Sequence, residues 1–202
     1  MKFDLHMHTC RHSHDAITDP FDLIKSAVAA GLDGIVITEH DYMWPESELE
    51  ELRAAAPGLV ILGGVEVTGR GGDMLCYGVT DPSVLPRGIS WGELCREVHR
   101  QGGAVVAAHP NRWNQPFEKL VRDQNAELDG IEVMSNNMDD DLRKQAAKLL
   151  EKYPQYAQLG NSDSHDPRTV GCCYTDFDAD IRTSADLVAA IKGRKGKALV
   201  RV

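Results

Sequence analysis

Short, almost continuous apolar runs recur along the chain, and they are the feature that most constrains its fold. Gly34–Thr38 (GIVIT) and Ala104–Ala108 (AVVAA) are two of them. The strands of a parallel sheet have this composition because helices cover both of their faces. Nine runs predict strands: Phe3–His8, Gly34–Thr38, Val60–Val67, Met74–Val79, Ala104–Ala108, Gly130–Met134, Ala157–Gly160, Cys172–Phe177 and Ala198–Val202.

Four stretches between these runs carry the boundary signals of helices. Asp19 precedes Pro20, the pattern of an N-cap followed by proline at the first helical position. Ser90 and Glu93 form a capping box at the start of a second helix. Apolar stripes mark two more helices, one through Leu142, Ala146, Leu149 and Tyr153 and one through Leu187, Val188 and Ile191. Strands that alternate with helices predict an α/β fold with a parallel sheet, and the number of strands favours a barrel over an open sheet.

Length, charge and cysteine content narrow the class of protein. The 202 residues are expected to form a single domain over residues 1–202. The net charge of -9 argues against an extended nucleic-acid surface, although bound metal ions would still allow a small phosphorylated substrate. Five cysteines without CxxC spacing are typical of reduced thiols. The sequence shows no recognisable leader and no apolar run of membrane-spanning length, so we expect a cytoplasmic protein without a membrane partner. The sequence does not indicate an oligomeric state.

Residues that commonly bind metals follow the predicted strands. His6 and His8 alternate with Leu5 and Met7, so both imidazoles project from one face of the first strand. Active sites of parallel barrels lie at the C-terminal ends of the strands, which is where these residues fall. Imidazoles combined with bridging carboxylates suit Zn, Mn or Fe better than Ca or Mg alone. The other candidates at predicted strand ends are His40, Glu66, His109, Asp163 and His165.

Five separated motifs resemble those of a known family. They read His-x-His-Thr, Thr-Glu-His-Asp, an isolated Glu, Ala-His-Pro and Ser-Asp-Ser-His, in that order. This order is similar to that of the PHP (polymerase and histidinol phosphatase) domains, and the resemblance covers the chain from Phe3 to about Gly171. It implies a distorted seven-stranded (β/α) TIM-like barrel with the metal site at the C-terminal ends of the strands. It also implies two or three divalent metal ions and phosphoesterase activity.

The resemblance assigns a role to each matching residue. His6, His8, Glu66 and Asp163 would hold one metal, and Glu66 would bridge to a second metal that His109 binds. His40 and His165 would hold a third, together with Asp15 or His14 from the first loop, of which Asp15 is favoured. Asp73 occupies a position where the family usually has a histidine. A carboxylate there can still bind a metal, but with a different affinity and metal preference.

The expected reaction is hydrolysis of a small phosphomonoester, either a nucleotide or a histidinol-phosphate-like compound. A metal-activated water would attack phosphorus. Arg112 would neutralise charge on the phosphoryl oxygens, and Asp15 or His165 would assist proton transfer to the leaving alcohol. Trp113, beside Arg112, is a candidate wall of the pocket. Two alternatives remain: a metal-dependent amide or ester hydrolase, which Arg112 makes less favourable, and a non-catalytic, metal-stabilised binding module.

Overall fold

One mixed sheet curls into a nearly closed barrel in the computed structural model, which describes residues 1–201. Within those residues the sheet has nine strands, in the spatial order β7-β6-β5-β4-β3-β2-β1-β8-β9. Their bounds are β1 (Lys2–Asp4), β2 (Gly34–Ile37), β3 (Val60–Gly69), β4 (Gly72–Tyr77), β5 (Ala104–Ala107), β6 (Gly130–Met134), β7 (Ala157–Gly160), β8 (Cys173–Phe177) and β9 (Gly196–Val200).

Six α-helices accompany the strands over the same described range, 1–201. None of them is long and apolar enough to cross a membrane. Their bounds are α1 (Pro20–Ala29), α2 (Glu46–Ala55), α3 (Trp91–Arg100), α4 (Phe117–Asp123), α5 (Asp140–Lys152) and α6 (Ser184–Lys192).

The predicted α/β barrel is confirmed, with two corrections. The sheet is not purely parallel: β4 runs against β3 and β5, and β8 runs against β1 and β9, so seven of the nine strands share one direction. A two-residue turn joins β3 to β4, and such a turn can only connect antiparallel neighbours. The first strand is also shorter than predicted and ends at Asp4. Val202, part of the predicted last strand, lies outside the described residues.

The barrel closes through two contacts, one between β7 and β8 and one between the chain beyond β7 and the chain beyond β1. In the contact between β7 and β8, the Thr175 hydroxyl accepts a hydrogen bond from Gly160 N (3.0 Å) and donates one to Gly160 O (2.9 Å). Gly160 is required there, because a Cβ atom would lie 2.9 Å from the carbonyl oxygen of Tyr174. In the second contact, the chain beyond β1 pairs with the chain beyond β7, and His8 N donates to Ser164 O at 2.8 Å. The segments that carry the motifs His-x-His and Asp-Ser-His therefore lie side by side.

Apolar side chains fill the N-terminal end of the barrel. Phe3, Ala104 and Ala157, at the starts of their strands, belong to one buried cluster with Leu187 and Ile191 of α6. Helix α6 therefore covers the N-terminal mouth of the barrel. This leaves the C-terminal mouth as the end at which polar groups converge, as in other parallel barrels.

Candidate metal centre

Seven polar side chains from five strand ends meet at the C-terminal mouth of the barrel. Five of them are buried almost completely, whereas about one third of His40 and about one quarter of His165 are exposed. They form overlapping groups whose nitrogen and oxygen atoms lie within 4.8 Å of one another, the spacing that a shared metal ion requires. The seven are His6, His8, His40, Glu66, His109, Asp163 and His165.

The first group combines His6, His8 and Asp163. Nε2 of His6 lies 3.2 Å from Oδ1 of Asp163, and Nε2 of His8 lies 3.3 Å from the same oxygen. His6 and His8 reach this point because the chain beyond β1 stays extended and pairs with the Ser164 segment. Asp163 has a left-handed backbone (φ 50°), which turns its carboxylate toward the two imidazoles.

Glu66 occupies the middle of the site. Its Oε1 lies 3.3 Å from Nε2 of His6 and 3.4 Å from Nε2 of His109. Its Oε2 lies 3.3 Å from Nε2 of His8 and 2.8 Å from Nδ1 of His40. A carboxylate that faces imidazoles with both oxygens is suited to bridge two cations.

Two further groups flank Glu66. The second group consists of Glu66, Asp73 and His109, and the third group consists of His8, His40 and His165. Asp73 is therefore placed among the potential ligands, where its pKa is raised by burial and by the neighbouring Glu66 carboxylate.

The first loop brings Asp15, not His14, to the third group. Oδ2 of Asp15 lies 3.3 Å from Nε2 of His40 and 3.5 Å from Nε2 of His165. His14 is exposed, and within residues 1–201 it belongs to none of the three groups. Of the two alternatives for this loop, the geometry favours Asp15.

Buried imidazole nitrogens without partners show that the site fits a cation. Nε2 of His6 and Nε2 of His8 are inaccessible to solvent, and within residues 1–201 neither has an aligned hydrogen-bond partner. Leaving a buried polar atom unpaired costs about 1–3 kcal/mol. A divalent ion between these nitrogens and the Asp163 carboxylate would satisfy all of them. The nitrogen and oxygen donors are those that Zn, Mn and Fe use in proteins.

The central carboxylates, Glu66 and Asp163, carry the negative charge that favours binding of a cation. Burial opposes ionisation of Glu66, but His6 and hydrogen bonds from His109 and His40 hold its pKa well below the usual 4.5. Burial also opposes ionisation of Asp163, but the imidazoles of His6 and His8 outweigh this effect and hold the pKa of Asp163 below its usual value. Both groups are therefore anionic at neutral pH and able to bind cations.

Three side chains that sequence reasoning did not assign support the potential ligands. Oε1 of Glu132 lies 3.0 Å from Nδ1 of His6 and also accepts from Nδ2 of Asn161 at 2.7 Å. Asn137 Nδ2 donates to Oδ2 of Asp163 at 2.8 Å. Such contacts fix the orientation of ligand side chains. Only Glu132 had a signal in the sequence, namely its place in a predicted strand.

Glu39, just beyond β2, supports the site by anchoring the first loop rather than as a ligand. Its carboxylate accepts hydrogen bonds from Thr9, Ser13 and the indole nitrogen of Trp44. The Ser13 hydroxyl lies 3.4 Å from Nδ1 of His8. The loop is thus anchored beside one of the buried imidazoles.

Arg112 lies at the rim of the site. Its Nη1 is 3.7 Å from Oδ2 of Asp163, and about a quarter of its side chain is exposed. The guanidinium also lies over the ring of Trp113, 4.3 Å from the centroid. A cationic fork is therefore available beside the anionic centre.

Sequence comparisons point to the same family as the motifs. A family model described as PHP-associated matches residues 142–195. An uncharacterized protein of Methanocaldococcus jannaschii is 28% identical over 171 residues, which cover 78% of this chain and 96% of that protein.

Structural similarity extends over the whole chain. A two-domain protein from Bacteroides vulgatus that contains a predicted PHP-like metal-dependent phosphoesterase matches with a TM-score of 0.76 and 22% identity. The resemblance to the PHP family is confirmed. The match covers 100% of this chain and 65% of the other, so this chain spans just under two thirds of that protein's length.

A second solved structure with this fold is described as an amidohydrolase. It comes from Chromobacterium violaceum, carries bound sulfate and no metal, and matches with a TM-score of 0.69 and 19% identity. The match covers 99% of this chain and 98% of that one. At these identities the two solved structures establish only that this chain shares their fold.

Proposed function

We propose that the protein is a metal-dependent phosphoesterase that hydrolyses a small phosphomonoester, either a nucleotide or a histidinol-phosphate-like ester. The observation that carries this proposal is the guanidinium of Arg112, 3.7 Å from Asp163 and partly open to solvent. A guanidinium fork binds two oxygens of one phosphoryl group at once. A carbonyl group has only one oxygen, so it cannot pair two separate oxygens with the two arms of the fork.

The cofactor is two or three divalent ions, Zn, Mn or Fe. When bound, these ions would lower the pKa of a water ligand toward neutrality and offset the charge of phosphoryl oxygens. The residues that would hold them are His6, His8 and Asp163 in the first group, Glu66, Asp73 and His109 in the second, and His8, His40 and His165 with Asp15 in the third.

Side chains of the protein would orient the substrate and assist proton transfer. Arg112 binds and orients the phosphoryl oxygens at the rim. Burial opposes the charge on Asp15, but the imidazoles of His40 and His165 lower its pKa, so its carboxylate stays ionised. Asp15 therefore orients His165, which lies 3.5 Å away and about one quarter exposed. Because His165 would hold a metal, Asp15 and His165 would assist proton transfer to the leaving alcohol through a water molecule rather than directly.

A metal-dependent amide or ester hydrolase is the second candidate function. The observation that favours it is the solved structure described as an amidohydrolase, which matches almost the full length of both chains. The same imidazoles and carboxylates can activate water against a carbonyl carbon. The two candidates therefore differ in what Arg112 does.

The test compares phosphomonoesters with carboxylic esters and amides. Protein stripped of metal is reloaded separately with Mn, Zn and Fe, and turnover is measured for the wild type, Arg112→Ala and Arg112→Lys. We expect turnover of phosphomonoesters only, a loss of about 100-fold or more in Arg112→Ala, and partial recovery in Arg112→Lys. Arg168→Ala is the matched control, because Arg168 is exposed and pairs with Asp166 away from the central carboxylates.

Two results would contradict the proposal. Turnover of amides or carboxylic esters that does not depend on Arg112 would establish the second candidate. Absence of any turnover in protein with bound metal would establish the non-catalytic binding module.

A further inference from the structure

Ser13, in the first loop, contacts two potential metal ligands without being a ligand itself. Its hydroxyl oxygen lies 3.4 Å from Nδ1 of His8, and the backbone N–H of His40 donates to the same oxygen at 3.4 Å. The hydroxyl also lies 2.5 Å from Oε2 of Glu39. Ser13, His8 and Glu39 are all buried, so solvent does not compete for these contacts. One hydroxyl therefore joins a buried carboxylate to two residues of the third ligand group.

The surroundings of Glu39 fix the direction of the hydrogen bond from Ser13. Oε1 of Glu39 accepts from the backbone N–H of Thr9 at 3.2 Å and from the indole N–H of Trp44 at 3.0 Å. Oε2 lies 3.1 Å from the same Thr9 N–H. Backbone and indole N–H groups can only donate, so both oxygens of Glu39 act as acceptors. The single proton of the Ser13 hydroxyl is therefore directed at Oε2 of Glu39.

The direction of that bond determines which nitrogen of His8 carries a proton. A hydroxyl that donates its proton to Glu39 can only accept from its other neighbours. Nδ1 of His8 must then carry the N–H that faces Ser13, which leaves Nε2 of the neutral imidazole with a free lone pair. Nε2 lies 3.3 Å from Asp163 and from Glu66, but within residues 1–201 neither carboxylate is aligned to accept a proton from it. A free lone pair on Nε2 is what a metal ion requires.

The tautomer of His8 affects more than one ligand group, because His8 belongs to both the first and the third. Nδ1 of His6 faces the carboxylate of Glu132 directly. Nδ1 of His8 reaches a carboxylate only through the hydroxyl of Ser13. A proton on Nε2 of His8 would therefore remove one ligand from two groups at once.

We propose that Glu39 and Ser13 are positioning residues that hold His8 as the Nδ1–H tautomer, through a hydrogen-bond relay from carboxylate to hydroxyl to imidazole. The inference rests on the metal-dependent function proposed above, and it names the groups outside the ligand set that keep Nε2 of His8 free for a cation. Within residues 1–201, neither Glu39 nor Ser13 belongs to any of the three ligand groups. Their effect on metal binding therefore passes through His8.

Glu39→Gln is expected to reverse the relay. The glutamine amide has one oxygen, which takes the Oε1 position because Thr9 and Trp44 donate their N–H groups there. Its NH2 group then faces Ser13 and donates to the hydroxyl oxygen. The Ser13 proton turns toward His8, so that Nδ1 accepts a hydrogen bond and the imidazole proton moves to Nε2.

The tautomer is measured by 15N NMR of the metal-free protein in excess chelator. Protonated and unprotonated imidazole nitrogens differ widely in 15N chemical shift, and the signals of His8 are those that disappear in His8→Gln. We expect the Nδ1–H tautomer in the wild type and a shift to the Nε2–H tautomer in Glu39→Gln. Glu50→Gln is the matched control, because Glu50 is exposed, and it should give the wild-type spectrum.

Metal affinity, measured by competition with a chelator, is the second readout. We expect Zn and Mn to bind about 10- to 100-fold more weakly to Glu39→Gln and to Ser13→Ala than to the wild type. The two losses should not add, because Glu39 acts through the hydroxyl. Once Ser13→Ala has removed it, Glu39→Gln should change the affinity by less than about threefold. Ser13→Thr keeps a hydroxyl and is expected to retain most of the affinity.

Three results would overturn the inference: an Nε2–H tautomer of His8 in the wild type, an unchanged tautomer in Glu39→Gln, or losses of metal affinity that add in the double variant. Circular dichroism establishes that each variant is folded. If Glu39→Gln does not fold, Ser13→Ala decides, and an unchanged tautomer and metal affinity there would overturn the inference as well. None of these measurements uses turnover, so failure of the proposed phosphoesterase function, seen as absent turnover in metal-loaded wild type, is a separate result.

Discussion

Oε1 of Glu132 lies 3.0 Å behind Nδ1 of His6, on the side of the imidazole that faces away from the other potential ligands. This contact fixes the tautomer of His6, so that Nε2 points toward Asp163 with its lone pair available. The other oxygen of Glu132 accepts a hydrogen bond from His109 N at 2.8 Å. One buried carboxylate therefore orients residues of both the first and the second ligand group.

We predict that Glu132→Gln weakens metal binding about 10- to 100-fold without unfolding the protein. Oε1 of Glu132 accepts from His6 and Asn161, and Oε2 accepts from His109 N. A glutamine amide has one oxygen, so one of these donors must then face an NH2 group. Competition with a chelator measures the affinity. Glu127→Gln, an exposed neighbour, is the control and is expected to bind metal as the wild type does.

We predict that Asp73 sets the metal preference of the second group. In Asp73→His the group changes from two carboxylates and one imidazole to one carboxylate and two imidazoles. Imidazole ligands favour Zn and carboxylates favour Mn, so the ratio of Zn to Mn affinity should rise about tenfold. Elemental analysis after equilibration with both metals measures this ratio. Asp178→His, at an exposed position, should leave it unchanged.

We predict that Asp15 and His14 are not equivalent. Asp15→Asn should reduce the bound metal by up to one ion per chain and lower turnover about tenfold or more, because its carboxylate faces His40 and His165. His14→Ala should change neither quantity, since His14 is exposed and apart from the ligand groups. The reverse result, with His14→Ala losing metal, would place the other residue of this loop in the centre.

We predict that metal removal lowers thermal stability. An ion at about 100 times its Kd stabilises the folded state by about 2.7 kcal/mol, which for a chain of this length shifts Tm by roughly 5–10 °C. Thermal unfolding is compared in excess chelator and after reloading with Mn, Zn or Fe. An unchanged Tm would mean that the unpaired Nε2 atoms of His6 and His8 do not bind a cation in the folded protein.

The sequence predicted the strands well because buried strands consist of nearly continuous apolar runs. That same property hid the direction of β4, since a strand covered on both faces reads alike whether it is parallel or antiparallel. Helix α2 was not predicted because half of its ten residues are charged and only Leu49 and Leu52 are buried. Helix α4 has seven residues and follows a segment of positive φ angles, which no periodicity marks.

The candidate ligands were visible because each lies in or just after a predicted strand and belongs to a motif. Their supporting contacts were not, because they join residues far apart along the chain. Glu132 lies 126 positions from His6, and Asn137 lies 26 positions from Asp163. Whether such pairs meet depends on how the barrel closes, and this is set by packing rather than by local sequence. The exposure and backbone strain of Trp113 likewise left no mark in the sequence.

The most direct test of the central claim is phosphate release from a panel of small phosphomonoesters. Wild-type protein is assayed after metal removal and again after reloading with Mn, Zn or Fe, beside Asp163→Ala, which lacks the carboxylate that His6 and His8 share. The proposed function predicts release only after reloading, and a loss of at least 100-fold in Asp163→Ala. Equal release from Asp163→Ala and wild type, or no release from wild type that holds its metal, would contradict it.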